Sequence, residues 1–128
     1  MYSHVTVGSA DIARSKAFYL VAFAPLGLEV KFEDRTMVAF GPAAQRRPMF
    51  IALLPENRQP MNVGNGTMAA FDAPTRAIVD AFHAAAIAAG ATDEGKPGLR
   101  PHYHRHYYGA YVRDPDGNKL CAVCHREE

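Results

Sequence analysis

Three imidazoles stand at alternate positions, His102, His104 and His106, in the run Gly98-Leu-Arg-Pro-His-Tyr-His-Arg-His-Tyr-Tyr-Gly. Imidazole is the commonest metal-binding side chain, so the run has the composition of a zinc site. In an extended chain all three share a face, but side chains four residues apart are then roughly 13 Å apart. They could converge on one ion only if the backbone bent sharply. The better reading is a polar, aromatic lip over a cavity, with Arg100 available to a carboxylate or phosphate and Tyr103, Tyr107 and Tyr108 to a planar group. A plain surface loop is the competing reading, since exposed His and Tyr are common.

A second constellation, Cys121-Ala-Val-Cys124-His125, spells the string used for haem attachment and, in part, for redox pairs. It lies in an alternating strand pattern that sends the two thiols to opposite faces, and the segment MYSHVTVGSADIARSK has no export signature. Neither use is expected. Two cysteines so close cannot frame disulfides either, which agrees with a reducing, cytoplasmic setting. Nucleophilic catalysis finds no support: no serine occupies a GxSxG elbow, and Gly64-Asn-Gly66 precedes a strand rather than the helix a phosphate cradle needs. His83, beside Phe82 on a helix-period stretch, reads as a surface residue.

The elements that position these groups repeat. His4 falls on Met68 and Phe18 on Phe82, an offset of 64 residues in both cases. Each half begins with a short β run (HVTVG, TMAAF), passes into a helical period, meets a glycine stop and continues as short apolar runs. In the first half, Ser9 or Asp11 can cap a helix carrying Ile12, Tyr19, Ala22 and Phe23, and Pro25 with Gly27 ends it. Leu28–Phe32, Thr36–Phe40 and Pro48–Leu54 then read as strands. The polar, Pro- and Asn-containing segment Pro55–Gly66 links the halves. In the second half the pattern predicts a strand at Thr67–Phe71, a helix from Pro74 to Gly90, and strands at Ala91–Asp93, His106–Val112 and Lys119–Cys124. The last two are joined by the turn signal Asp114-Pro-Asp-Gly-Asn118. The expectation is one α+β domain over residues 1–128, built from paired βαβββ modules at about 1–55 and 66–126.

The chain has 128 residues, 48% hydrophobic and 21% charged, with a formal net charge of +1. That is enough for one core without disulfides or a structural metal. The near-neutral, scattered charge gives no reason to expect nucleic acid or an anionic membrane as partner. No run approaches the roughly 18 apolar residues of a membrane span.

The segments HVTVGSADIARSKAFY, APLG, GNGTMAAF, AIVDAFHAAAIAAGA, GLRPHYH, YYGAYVRDPDGNKL and AVCH resemble the vicinal oxygen chelate superfamily, which groups glyoxalase, bleomycin resistance and dioxygenase-like proteins. The likeness spans nearly the whole chain and is closest to the small bacterial glyoxalase/bleomycin-resistance-like members. It implies a curved mixed sheet whose concave side holds a ligand, often with a divalent metal, and a homodimer. In the family pattern one His donor sits in the first strand, a second donor opens the second module, and a carboxylate lies in the last strand. His4 matches the first. Met68 and Cys121 stand at the other two, and the fourth position falls near Phe50 or Ala52, with Glu56 the nearest carboxylate.

One imidazole, one thioether and one thiol make a soft set, unsuited to the Mg, Mn or Ni of vicinal-dioxygen chemistry. The resemblance and the residues together predict a protein that binds a small organic molecule in its cavity beside a degenerate metal site. The expected lining is His4, Phe50, Met68 and Cys121, closed by Arg100, His102, His104 and Tyr108. The alternative is an active metal-dependent lyase, isomerase or dioxygenase of lactoylglutathione-lyase type, with the missing donors replaced by Glu56, a pocket His or a partner chain. A structural, partner-binding dimer is a third reading.

Overall fold

The computed structural model describes all residues from Met1 to Glu128. Strand β1 (His4–Gly8) leads into helix α1 (Ile12–Ala22), followed by β2 (Leu28–Glu33), β3 (Met37–Pro42) and β4 (Met49–Leu53). After the connecting segment come β5 (Ala69–Asp72), α2 (Arg76–Ala88), β6 (Thr92–Leu99), β7 (Tyr108–Arg113) and β8 (Lys119–Cys124). The two four-stranded sheets have the orders β1-β4-β3-β2 and β5-β8-β7-β6. In each, the opening strand runs parallel to the closing one and the other pairs are antiparallel. The internal offset is therefore a duplication of topology, in an α+β fold of paired βαβββ modules. The modules do not share one ladder: β1 and β5 are each outermost in their own sheet.

Asp11 caps α1, its carboxylate accepting from the Arg14 amide at 3.0 Å. Ser9 is instead buried, its hydroxyl 2.6 Å from that of Ser15. Gly27, at φ 71°, takes the left-handed conformation that stops the segment. Thr75 caps α2 through the Ile78 amide, so that helix begins at Arg76, two residues beyond the expected Pro74. β5 begins at Ala69 rather than Thr67, and β7 at Tyr108 rather than His106. The largest difference is β6, which extends to Leu99 where only Ala91–Asp93 was expected. Gly95, Pro97 and Gly98 hide it from propensity, and its pairing with β7 shifts register on both sides of Gly95.

Both helices cover the same face of their sheets. Phe18 and Phe82, the duplicated pair, are both buried, with Val38, Phe40, Phe50, Val112 and Leu120 beneath them. Each such side chain contributes roughly 1.5–3 kcal/mol on leaving water. Phe71 of the second module lies 5.0 Å from Phe23 and 5.5 Å from Phe50 of the first, centroid to centroid, so the core is continuous across the two.

A buried polar network also joins them. Asp114 accepts from the Tyr19 hydroxyl, from the Asp116 and Asn118 amides and from the Asn118 side chain. Asn118 donates in addition to the Gly8 carbonyl at 2.8 Å. Asp116 receives the Ala10 amide at 3.1 Å and the Arg14 guanidinium. The expected β7–β8 turn is present, with Gly117 at φ 94°, and it clamps the start of α1 as well as closing its own hairpin.

Candidate functional site

Strand alternation leaves one face of each sheet free of helices, and the two free faces differ. In the first module Met37, Ala39, Met49 and Ile51 point to it. They floor a groove of about 620 Å³ walled by Lys31, Phe32 and the β3–β4 loop residues Ala43–Arg46. Lys31 and Phe32 are consecutive, yet both reach the groove, because β2 bulges between Val30 and Phe32. In the second module the corresponding face carries Tyr111 and Cys121, which are directly opposed in the ladder. Tyr107 folds over them, its hydroxyl 2.8 Å from that of Tyr111 and 3.9 Å from the Cys121 sulfur. Cys121 is fully buried. Burial pushes its thiol pKa up, and the same desolvation raises both Tyr107 and Tyr111.

His4 and Phe50, two of the expected lining residues, do line one cavity, of about 410 Å³, with Phe40, Met49, Ala70 and Phe71. This cavity opens between the start of β1 and the end of β5, and Ser3 Oγ lies 2.7 Å from His4 Nδ1. Met68 is not in it: it is 44% exposed and lines a separate, smaller cavity with Thr6, Gly8 and Asn118. Cys121 lines neither. No three residues among His, Cys, Asp and Glu are placed so that they could hold a metal ion.

The expected lip is dispersed as well. Arg100 donates to its own hairpin, at 2.7 Å to the Lys96 carbonyl, and its guanidinium lies over the Tyr111 ring. Tyr108 sits on the helix side of β7, its hydroxyl donating to Asp80 of α2 at 2.7 Å, because alternation places it opposite Tyr111. His102 packs on Tyr103. His104 and His106 lie in a turn, not a strand, with the His106 amide donating to His104 Nδ1. That leaves the proton on His104 Nε2, which donates to His125 Nδ1 at 2.8 Å. Of the three imidazoles, His104 is engaged by His125 and by the His106 amide, and His102 packs on its neighbour Tyr103, so the run does not converge on a common point.

Sequence reading missed three features. Lys31 and Phe32 were invisible because a bulge breaks alternation. Arg46 lies between two expected strands in a stretch where no motif singles it out. His83 was placed on the surface, whereas its side chain is only 13% exposed and pairs with Asp93 across the α2–β6 connection at 2.9 Å. That bond holds the Asp93 carboxyl below its ordinary pKa, helped by the Gly95 amide.

The sequence profile of the Glyoxalase/Bleomycin resistance protein/Dioxygenase superfamily matches residues 2–122. The chain belongs to this superfamily. A glyoxalase/bleomycin resistance protein from Albidiferax ferrireducens T118 is 40% identical, with a TM-score of 0.86 and 99% of each chain covered. A glyoxalase-related enzyme from Fulvimarina pelagi (20% identity, TM-score 0.75, covering 97% of this chain and 87% of the other) shares the fold. So does a lactoylglutathione lyase from Agrobacterium tumefaciens (23%, TM-score 0.68, covering 97% and 92%). No curated protein matches the chain.

Superfamily members often hold a divalent metal, and the residues of this one do not fit it within a single chain. His4, Met68 and Cys121 lie in separate surroundings, two of the three are sulfur, and the thiol is held in its neutral form, whereas the thiolate is the ligand.

Proposed function

We propose that this superfamily member binds a small organic molecule in the cavity beside His4 without a catalytic divalent metal. The observation that carries the reading is the pairing of an apolar, ring-lined cavity with the lack of any converging donor set. Phe40, Phe50 and Phe71 offer an aromatic wall, and His4 and Tyr2 supply polar groups at its mouth, the usual composition of a small-molecule site. A homodimer belongs to the proposal, because proteins of this fold are commonly dimeric. So does a cytoplasmic setting, which agrees with two free cysteines. No helix is long and apolar enough to cross a membrane. The active-lyase alternative draws on likeness to the Agrobacterium tumefaciens enzyme, which at 23% identity supports the fold alone.

The test has two parts. Metal analysis of protein purified without added metal should find Mg, Mn, Ni and Zn well below one equivalent; a stoichiometric hard cation overturns the metal-free reading. Titration with the neutral dye Nile red should show binding that is lost in Ala70→Phe and in His4→Phe, both of which fill the cavity. Dye binding unchanged in both variants rejects the site.

A further inference from the structure

We propose that the outer face of the helix layer is the contact between two copies of this chain, with α1 of each copy lying across α2 of the other. Both helices are apolar on the side turned away from the sheets as well as on the side that packs on them. On α1 the outward positions are Ala13, Ala17, Leu20 and Val21, continued by Ala24 just past its end, at the i, i+4, i+7, i+8, i+11 spacing of a buried face. On α2 they are Ala77, Ala81, Ala84 and Ala88, at i, i+4, i+7 and i+11. All of them are exposed, and α1 packs directly on α2, so the two rows lie in one layer. Helix propensity accounts for alanine and leucine there, but not for Val21 at 47% exposure or for Ile87, beside the second row, at 38%. A helix that is apolar all round has partners on both sides.

A second copy is the occupant that area, shape and charge select. The chain exposes 7474 Å² to solvent, whereas a monomer of 14.0 kDa is expected to expose roughly 6,700 Å². The surplus, about 800 Å², is the share that one partner contributes to a standard interface. The face is also complementary to itself. α1 offers protruding side chains, Leu20 and Val21, and α2 offers a row of alanines shallow enough to receive them, so one two-fold arrangement serves both helices of both copies. The charges flank this face and are held at its edge: Arg14 by Asp116, Lys16 by Glu33, and Asp80 by the Tyr108 hydroxyl. None has to be stripped of water at the centre. Since α1 carries cations and no acid, and Asp80 is the one acid of α2, crossed pairing sets opposite signs at the rim.

The inference rests on the homodimer proposed above and names its surface, and the experiment tells the two apart. Sedimentation velocity over a dilution series would compare wild type, Leu20→Lys, Ala84→Glu and Phe32→Lys, the last an exposed position on the helix-free side. Wild type and Phe32→Lys should be dimers. Leu20→Lys and Ala84→Glu should each raise the dimer dissociation constant roughly a hundred-fold or more, as for a charge buried without a partner. Mixed in equal amounts, these two should recover a heterodimer, because one crossed contact is then wild type and the other sets Lys against Glu. Urea midpoints of the monomeric variants should match that of wild type diluted to the monomer, which separates a lost contact from lost folding. Helix variants that dimerise like wild type, or dissociation confined to Phe32→Lys, overturn the helix surface and leave the homodimer standing. Monomeric variants whose mixture stays monomeric overturn the crossed contact. If wild type is itself monomeric at its highest soluble concentration, surface and homodimer both fall.

Discussion

The two modules repeat one topology and use equivalent positions oppositely. Between the third and fourth strands of the second module, Asp114–Asn118 reaches across to the start of α1 and is held by side-chain bonds from Asp114, Asp116 and Asn118. The equivalent connection in the first module, 43–48, is exposed for most of its length and bonds mainly to itself and to Lys31. The free faces divide in the same sense, one filled by Tyr107, Tyr111 and Cys121, the other left as a groove. After duplication, one copy carries the burden of stability and the other is left with surface that can change at little cost.

The largest break in this contrast should come from Asp114→Ala. It strands the Tyr19 hydroxyl and the Asn118 amide inside the protein, and we expect a loss of roughly 3 kcal/mol or more in urea unfolding. A loss under half of that would mean the modules are joined by apolar packing alone. Gly117→Val is expected to destabilise by roughly 1–3 kcal/mol, because a β-branched residue is forced to a φ of 94°. An unchanged melting temperature would reject the register of the β7–β8 hairpin.

The filled face can be opened. Tyr107→Ala should expose Cys121 and accelerate its reaction with a disulfide reagent at least ten-fold over wild type, provided that the ring is its cover. Alkaline pH reads the same asymmetry without mutation. Burial raises the Cys121 thiol and the Tyr107 and Tyr111 hydroxyls, and the Asp80 bond raises Tyr108; in the first module only Tyr19 is raised. For such groups the fold favours the neutral form. Their stability contribution is complete below the unfolded values and is lost as pH climbs above about 8.5 for the thiol and about 10 for the phenols. Urea midpoints should hold steady from neutral pH to about 8 and then fall, and Cys121→Ala should delay the onset toward the tyrosine range. The smallest effect belongs to the first module: Arg46→Met, on an exposed loop, should leave unfolding within about 0.5 kcal/mol of wild type.

Much of this fold is legible from residue pattern because both signals it needs, period and punctuation, are local. The offset between Phe18 and Phe82, the stops at Gly27 and Gly90, and the Asp-Gly-Asn turn give the βαβββ repeat directly. The site is less legible because it depends on departures from period. Alternation assigns Lys31 and Phe32 to opposite faces, and only the bulge, which no residue type announces, unites them. The same rule equates His4, Met68 and Cys121, but facing the same way in two sheets does not bring side chains together when no ladder joins those sheets. β6 fails for the converse reason: its pairing with β7 overrides the glycines and proline that argue against a strand.

The junction between β1 and β5, which flank common cavities without pairing, has a consequence for how the molecule can be taken apart. No backbone ladder crosses it, so the halves recognise one another through contacts that each engage at least one side chain: Phe71 among the rings of Phe23 and Phe50, and the acid-rich turn gripping the Gly8 carbonyl and the Ala10 amide ahead of the first helix. Such a joint resembles the contact between two subunits fused into one chain. Severing the polypeptide within 56–65 should yield two fragments that find each other in a test tube, and whose reunion can be followed as an ordinary bimolecular association.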